Sequence, residues 1–386
     1  MSRLKELIER LCPDGVEFSP LKNIAIIKNG KDYKHCGPGD IPVYGSGGIM
    51  TYIDQFCYDK PTVLLPRKGS IGKIYYVETP FWNVDTVYYT DINTTKVCPK
   101  FLYYFLATID LEKMNCGKGA VPSLTQEILY RIIIPVPPIE VQEEIVRILD
   151  RFADYAASLQ AELQARKEQY EYYRNLLLTF NPSACGCGTD GEQEIKVTTC
   201  GGGNYKVIWK AMGEICDLSR GKVYSKDYLR NNSGSYPVYS SQTVNNGELG
   251  RISTYDIEGE YLSWTTDGAY AGSIFYRSGK FSITNVCGLI KPSKIIDIHF
   301  LHHWLTLQAP KHVYQGMGNP KLMSNQMSEI RVPILPIEHQ KKIASILDRF
   351  EALVNDLTQG LPAEIAAVRE RYEYYRNKLL TFKKRA

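Results

Sequence analysis

The chain is written twice, and this repeat limits its architecture more than any other feature. Residues 138–152, PIEVQEEIVRILDRF, return at 336–350 as PIEHQKKIASILDRF, an offset of 198. Further on, YEYYRNLLLTF from Tyr170 returns as YEYYRNKLLTF from Tyr372, an offset of 202, so the second copy gains four residues between the blocks. Upstream the pairing is looser: Ile41-Pro42-Val43-Tyr44 with Tyr236-Pro237-Val238-Tyr239, Gly72-Lys73-Ile74-Tyr75-Tyr76 with Gly272-Ser273-Ile274-Phe275-Tyr276, and Phe101-Leu102 with Phe300-Leu301. Each half is a variable block followed by a near-identical one.

Through the first near-identical block the apolar residues fall at Ile145, Leu149, Phe152, Ala156, Leu159, Leu163, Tyr170, Tyr173, Leu177 and Phe180, with Arg166 interrupting steps of four and three. A stripe held over about five heptads predicts a long helix with a coiled-coil seam. Pro135, Pro137 and Pro138 stop helix upstream of it. From Ile139 to Phe180 such a helix would run roughly 60 Å, carrying the chain away from the first variable block before the second begins. The second stripe runs Ile343, Leu347, Phe350, Val354, Leu357, Leu361, Ile365, Val368, Tyr372, Tyr375, Leu379, Phe382. Its added residues read as a stutter that keeps the apolar face continuous, or else Pro362 ends one helix and opens another from a first-turn position. If the second helix returns along the first, the pair is an antiparallel coiled coil with a variable domain at each end and a pseudo-two-fold relation.

These patterns divide the chain into 1–136 (a variable domain with an N-terminal helix), 137–181 (a spacer helix), 182–204 (a linker), 205–334 (a second variable domain) and 335–386 (a second spacer helix). The linker is rich in Gly, Ser, Thr and Cys and reads as flexible. Its Cys185, Cys187 and Cys200 lack paired CxxC spacing and a neighbouring His, so no metal site is expected. The ten cysteines as a set are scattered, which suits a reducing cytoplasm better than a disulfide scaffold. No segment holds 18 consecutive apolar residues, so neither a membrane span nor a signal peptide is expected. A net charge of +4 over 386 residues decides nothing about nucleic acid, because a small surplus can be spread or focused.

The variable blocks are rich in Tyr, Ile, Val and Thr with Gly punctuation, the composition of short turn-linked strands. One helical stretch interrupts each, Phe101–Leu106 and Phe300–Leu305, so the expected class is α+β. His302 and His303 are adjacent, so they should face different sides of that helix and suit packing better than a metal. Loops at matching places differ in chemistry. Leu65-Pro66-Arg67-Lys68-Gly69-Ser70 stands against Trp264-Thr265-Thr266-Asp267-Gly268-Ala269, keeping the Gly while two cations give way to a hydroxyl and an acid. Gly117-Lys118-Gly119 and its following residues stand against Gly316-Met317-Gly318 in the same manner. Two readers of different ligands built on one scaffold should look like this, because loop side chains carry specificity.

Catalytic constellations are missing from the sequence. There is no GxxxxGK[ST] loop, no strand followed by GxGxxG and no HExxH. Val136-Pro137-Pro138-Ile139 has an apolar residue where an amino-methyltransferase would need Asn or Asp before its Pro-Pro pair. Asp85 aligns with Asn285 and Asp267 with Lys68, so neither acid recurs in the other copy. The chain reads as non-catalytic.

With the repeat, the spacers and the loop-bearing domains together, the sequence resembles the DNA-specificity subunit of type I restriction-modification systems. The matching features are the opening Leu11-Cys12-Pro13-Asp14-Gly15-Val16-Glu17, two variable domains, and spacers carrying PxPPIEVQEEIVRILDRF and YEYYRN. The resemblance implies two target-recognition domains, each reading one half of a split, asymmetric site in double-stranded DNA. It implies that the helices fix the gap and dock two modification subunits, which bring S-adenosylmethionine. Restriction subunits using ATP and magnesium would join through that complex, and this chain would hold no cofactor of its own.

Base edges in the major groove distinguish all four base pairs while cations hold phosphates. In the first domain the candidates for base contact are Arg67, Lys68, Ser70 and Lys118, with Lys31 and Lys73 for phosphate. In the second they are Gln242, Thr266, Asp267, Tyr270, Asn319 and Lys321, with Arg220 and Lys222 for phosphate. The alternative is a non-catalytic two-domain scaffold that binds proteins or glycans, which salt would leave largely unaffected, in contrast to a DNA complex.

Overall fold

The computed structural model describes residues 2–114, 123–180, 193–197, 203–316, 318–355 and 360–385. By contact these fall into two units, Met1–Ala161 with Glu364–Ala386, and Glu162–Ala363. Each unit therefore draws on both sequence copies.

In chain order the first copy forms α1 (Ser2–Leu11), β1 (Glu17–Pro20), β2 (Ala25–Asn29), β3 (Pro38–Gly45), β4 (Gly48–Ile53), β5 (Thr62–Pro66), β6 (Tyr75–Val77), β7 (Trp82–Asn83) and β8 (Val87–Ile92). It continues with α2 (Pro99–Leu106), α3 (Gln126–Tyr130), β9 (Ile133–Val136) and α4 (Ile139–Leu177). Strands pair in the order β2-β8-β5-β6, with β4-β3-β7 as a second sheet and β1 against β9. β5 is buried along its whole length, as the unbroken run Thr62-Val63-Leu64-Leu65-Pro66 requires. α2 begins with Pro99 in its first turn, where the missing amide leaves no bond unmade, and it buries Phe101, Leu102, Tyr104 and Leu106.

The second copy forms β10 (Gln193–Val197), β11 (Gly203–Ala211), α5 (Met212–Ile215), β12 (Cys216–Arg220), α6 (Lys226–Asn231), β13 (Ser233–Tyr239), β14 (Glu248–Ile252), β15 (Ile257–Thr265), β16 (Ile274–Ile283) and β17 (Cys287–Pro292). After these come α7 (Ile298–Gln308), α8 (Ser324–Glu329), β18 (Arg331–Ile334), α9 (Ile337–Asn355) and α10 (Leu361–Leu379). One sheet of order β12-β17-β15-β16-β13-β14 replaces the two of the first copy. The reason lies in one residue. Pro80 separates β6 from β7 because it has no amide for a ladder and a fixed φ, whereas the matching stretch Ser278-Gly279-Lys280-Phe281 continues β16 without a break.

One expectation needs correction. Part of the 182–204 stretch, expected to be a flexible linker, is strand: β10 pairs antiparallel with β11. Its alternating Glu194-Ile195-Lys196-Val197 is a strand pattern that the surrounding glycines obscured. The rest of that stretch, with Cys185, Cys187 and Cys200, lies outside the described residues. Of the two readings of the second stripe, the structure follows the proline restart and not the stutter. α9 and α10 are separate, Gly360 lies in a bend, and Pro362 sits in the first turn of α10. Leu357 and its neighbours at 356–359 are outside the described residues.

The seam follows the expected stripe. In the first unit Phe152 of α4 stacks on Tyr375 of α10, with ring centroids 5.4 Å apart, and the Tyr155 hydroxyl donates to Glu364 at 2.6 Å. One helix climbs while the other descends, so they are antiparallel. In the second unit Tyr173 of α4 stacks on Phe350 of α9 at 5.6 Å. Phe152 matches Phe350 and Tyr173 matches Tyr375 in the repeat, so each unit makes the same contact with the copies exchanged. That reciprocity is the internal repeat written in side chains. Among the described residues, no helix is long and apolar enough to cross a membrane.

One buried and one half-buried polar residue fix each variable domain to its helix. Gln142 is fully buried; its amide donates to the carbonyls of Lys96 at 2.9 Å and Pro137 at 2.7 Å, and its oxygen accepts from the Cys98 amide at 2.8 Å. Gln340 makes the same three bonds, to Ile295 at 3.0 Å, Leu335 at 2.7 Å and Asp297 at 2.7 Å. Three bonds through one fully buried amide set the helix start rigidly. The second anchor differs between copies. Asp150 accepts from Lys100 at 2.9 Å and Tyr104 at 2.5 Å, whereas its match Asp348 meets His303 at 2.8 Å and His299 at 3.2 Å.

Candidate nucleic-acid interface

In each unit the ends of three strands and a fourth segment are tied to one short turn by backbone bonds. In the first unit the turn is Val84–Thr86. The Lys31 amide donates to the Asn83 carbonyl at 2.9 Å, the Val84 amide to Tyr44 at 3.0 Å, and the Arg67 amide to Thr86 at 2.9 Å. The Leu124 amide then donates to Arg67 at 2.9 Å, bringing in the fourth segment. In the second unit the turn is Thr284–Val286, with Lys222 to Ile283 at 3.2 Å, Thr284 to Tyr239 at 2.8 Å, Thr266 to Val286 at 3.1 Å and Leu322 to Thr266 at 3.0 Å. The loops that leave these hubs are the ones where the two copies differ.

A close backbone approach locks each hub. A Cβ on Gly30 would stand 2.0 Å from the Val84 carbonyl oxygen, and one on Gly221 would stand 2.0 Å from that of Ile283. Only glycine fits at either place. The turn glycine kept between the copies is likewise at positive φ in both, +79° at Gly69 and +99° at Gly268.

At the first hub Lys31 and Lys68 are exposed and Arg67 is half-buried, its guanidinium 5.3 Å above the Tyr88 ring and 3.5 Å from the Asp85 carbonyl. Lys68 bridges to Ser123 in the fourth segment. Ser70 and exposed Lys73 close the turn beyond Gly69, the Lys73 amide donating to Ser70 at 3.0 Å. Lys118 lies outside the described residues. Beside this hub a cavity of about 660 Å³ opens, lined by Tyr33, Ser46, Met50, Val84 and Asp85 among others.

At the second hub Thr266 is fully buried, so it does not present its hydroxyl to a ligand as expected. It holds two others instead: the Arg220 guanidinium donates to it at 2.8 Å, and it donates to Asp267 at 3.0 Å. Asp267 also lies 3.8 Å from the Lys321 ammonium, across a bridge between their strands. Asn319 is exposed in that fourth segment, where the Gly268 amide reaches Pro320 at 3.1 Å, and Tyr270 is 62% exposed. Lys222 is bonded to Asp256 at 2.7 Å; that bond raises the ammonium pKa and takes up part of its charge. Gln242 is exposed, and its amide donates to the Glu248 carbonyl across its own loop.

That loop, Ser240–Gly247, is what the sequence reading missed apart from Gln242. Val244, Asn245 and Asn246 are exposed, and both asparagines have φ of 52°. The signal was present as Asn-Asn-Gly, a left-handed turn pattern.

One group of three candidate metal ligands occurs among the described residues, His302, His303 and Glu351, with donor atoms within 4.8 Å of one another. The adjacent histidines are thus brought closer than helix geometry alone suggested. His303 is engaged by Asp348, and its other nitrogen is 4.0 Å from Glu351. Tetrahedral ligands at zinc bond lengths stand about 3.3 Å apart. The group lies at the α7–α9 junction, where His303 with Asp348 forms the polar anchor. Burial and the neighbouring His303 push the His302 pKa down to about 4, and burial pushes the Glu351 carboxyl up.

Residues 13–168 and 207–367 match the family described as the type I restriction modification DNA specificity domain. A type I specificity subunit of Mycoplasma pneumoniae is 43% identical over 251 residues, 65% of this chain and 93% of that one. A second from the same organism is 41% identical over 68% of this chain and 91% of its own. A specificity subunit of Haemophilus influenzae is 28% identical over 99% of this chain and all of that one. Among solved structures, the type I restriction-modification S subunit of M. genitalium superposes with a TM-score of 0.63 at 16% identity, covering 95% of this chain and 96% of that one. A chain from a structure on assembly and conformational transition of the type I R-M system gives 0.57 at 16% identity, covering 95% and 98%. At that identity the structural likeness speaks for the fold alone. Two family matches over most of the chain, on two equivalent hubs with divergent loops, make this protein a member of the type I restriction-modification DNA specificity subunit family.

Proposed function

We propose that each hub reads one half of a split site in double-stranded DNA, residues 1–136 and 205–334 being the two target-recognition domains. The single observation that carries this reading is the repeated set of backbone bonds at the hubs. Because the amides that fix the loops bond to carbonyls, side chains there are free to differ, and they do: Arg67 and Lys68 against Thr266 and Asp267. At the first hub Arg67 and Lys68 suit guanine, with Ser70 beside them and Lys31 and Lys73 on phosphates, and Lys118 remains a base-contact candidate of this domain from the sequence. At the second, Asp267 suits a cytosine amine, with Tyr270, Gln242, Asn319 and Lys321 around it and Arg220 and Lys222 toward phosphate.

The spacers, 137–181 and 335–386, set the gap between half-sites. They offer Tyr155, Tyr172, Leu176 and Tyr374, all exposed, for docking two modification subunits. Those subunits would bring S-adenosylmethionine, and restriction subunits with ATP and magnesium would join through them. The chain itself is non-catalytic, holds no cofactor and works in the cytoplasm, where the DNA is.

Duplex binding by the chain with its modification subunits, measured from low to high salt, tests this reading. Affinity should fall steeply and log-linearly as counterions cease to be released. A salt-insensitive complex, or capture of glycan in place of DNA, would refute it.

A further inference from the structure

Among the described residues, the second unit holds a buried cation and the first has none. Arg277 is 2% exposed, and its guanidinium lies 3.6 Å from the Tyr239 ring centroid and 4.5 Å from that of Phe275. Its Nε donates to the Ser263 hydroxyl at 3.0 Å and its Nη1 to the Asn246 carbonyl at 2.7 Å, while Nη2 is buried with no hydrogen-bond partner. Its hydrogen-bond and ring partners are ring faces, a hydroxyl and a carbonyl; the Glu248 carboxylate acts on its charge without forming an ion pair, where a buried cation would ordinarily be bonded to a carboxylate. Burial lowers its pKa to about 10, still far above neutrality, so the charge is kept.

Strand register identifies the matching residues of the first unit. Leu64 pairs with Tyr75 as Ser263 pairs with Phe275, so Ser263 stands for Leu64 and Arg277 for Val77. Leu64 and Val77 belong to an apolar cluster with Phe81 and Val87. The second unit has thus exchanged two apolar residues for a polar pair that bonds to itself. Above this exchange the loop is longer. Four residues, 45–48, separate the paired Tyr44 and Ile49, whereas eight, 240–247, separate Tyr239 and Glu248. The short loop is held by the Tyr75 hydroxyl donating to the Ser46 carbonyl at 3.1 Å. Phe275 has no hydroxyl, and Arg277 takes that part.

The long loop is strained where Arg277 grips it. Asn245 and Asn246 are both left-handed, a conformation that costs non-glycine residues energy and persists where surroundings impose it. Gly247 follows at φ of +77°, and a Cβ there would stand 3.0 Å from Arg277 Nη2. The Ser240 amide, beside the hub, closes the loop on the Gly247 carbonyl at 2.8 Å. Its tip leaves Val244 79% exposed.

We propose that Arg277, with Ser263, is a positioning residue that shapes Ser240–Gly247 into a reading loop of the second half-site, and that Val244, Asn245 and Asn246 contact the DNA. This rests on the reading that each hub addresses one half-site. Asparagine amides beside a groove supply both a donor and an acceptor, the pairing that adenine's N6 and N7 require.

The decisive experiment uses the chain co-purified with its modification subunits and measures methylation rates on duplexes carrying each single-base change in both half-sites. The key variant imports the first unit's apolar pair, Ser263→Leu with Arg277→Val, which keeps a packed core and removes only the grip. Expected are a tenfold or greater loss of discrimination in the second half-site, an unchanged profile in the first, and an unchanged melting temperature. If the double variant fails to fold, the surface pair Asn245→Ala with Asn246→Ala is read instead, with the same loss expected. An unaltered second half-site profile in whichever folded variant is read would overturn the proposal. A wild-type complex that shows no half-site discrimination would instead reject the function on which it rests, so the two failures are distinct.

Discussion

At the first hub the amides of Lys31, Val84, Arg67 and Leu124 are spent inside the protein, and at the second those of Lys222, Thr284, Thr266 and Leu322 are spent on the same partners by position. The side chains around them have little in common. One hub shows two cations and a four-residue loop; the other shows an acid between cations and an eight-residue loop on a buried arginine. Geometry held by backbone survives side-chain exchange, so a duplicated domain can change what it recognises without refolding. The junctions between domains and helices divide in the same manner: the glutamine anchors are alike, and the partners of Asp150 and Asp348 are not.

The most damaging change should be equally damaging in both copies. Gly221→Ala places a Cβ 2.0 Å from one carbonyl oxygen and 2.5 Å from the next, and Gly30→Ala does the same at the first hub. Each should cost about 4 kcal/mol in its own unit and abolish recognition of its own half-site. Thermal unfolding with half-site methylation rates would check this, and a mild effect at either glycine would break the equivalence of the hubs.

Next in size come the anchors. Gln142→Ala and Gln340→Ala each strand three backbone groups, one buried and two part-buried, a loss of about 3 kcal/mol per site. Denaturant titration should return similar values for the two, and a large inequality would mean that the junctions are not equivalent.

Acid should separate the units rather than equate them. His302 keeps its pKa near 4 when folded, below the usual value of about 6.5 for an unfolded chain, which therefore takes up the proton first. Stability is lost as pH falls through that window, by up to about 2 kcal/mol at pH 5, with Glu351 offsetting part because burial raises its carboxyl. The first unit carries Tyr103 at the matching place and has no such term. Unfolding midpoints at pH 7 and pH 5 should diverge for the second unit alone, and His302→Tyr should erase the divergence.

Much of this architecture could be read from the sequence, and the reason is periodicity. The stripe from Ile145 to Leu177 specifies a helix and its seam in local terms, and the repeat supplies the partner, as the reciprocal Phe152–Tyr375 and Tyr173–Phe350 stacks bear out. The broken second helix was legible only as one of two alternatives, since a stutter and a proline restart leave the same apolar spacing. Site chemistry was legible less evenly. Arg67, Lys68 and Asp267 stand out because charges beside a turn glycine contrast between copies. Thr266 misled, since a hydroxyl at a strand end looks the same whether it faces a ligand or, as here, the core. Arg277 could not be found from its own strand, whose alternation does not reveal that Ser263 had been exchanged with it on the neighbouring one.

Mapping methylated bases in genomic DNA from cells expressing the complex, with the wild-type chain and with Arg67→Ala, tests the two-reader claim most directly. A motif in two parts across a fixed unread gap is predicted, with the variant relaxing one part only at a cost of about 1–3 kcal/mol. A single contiguous motif, or relaxation of both parts together, would contradict it.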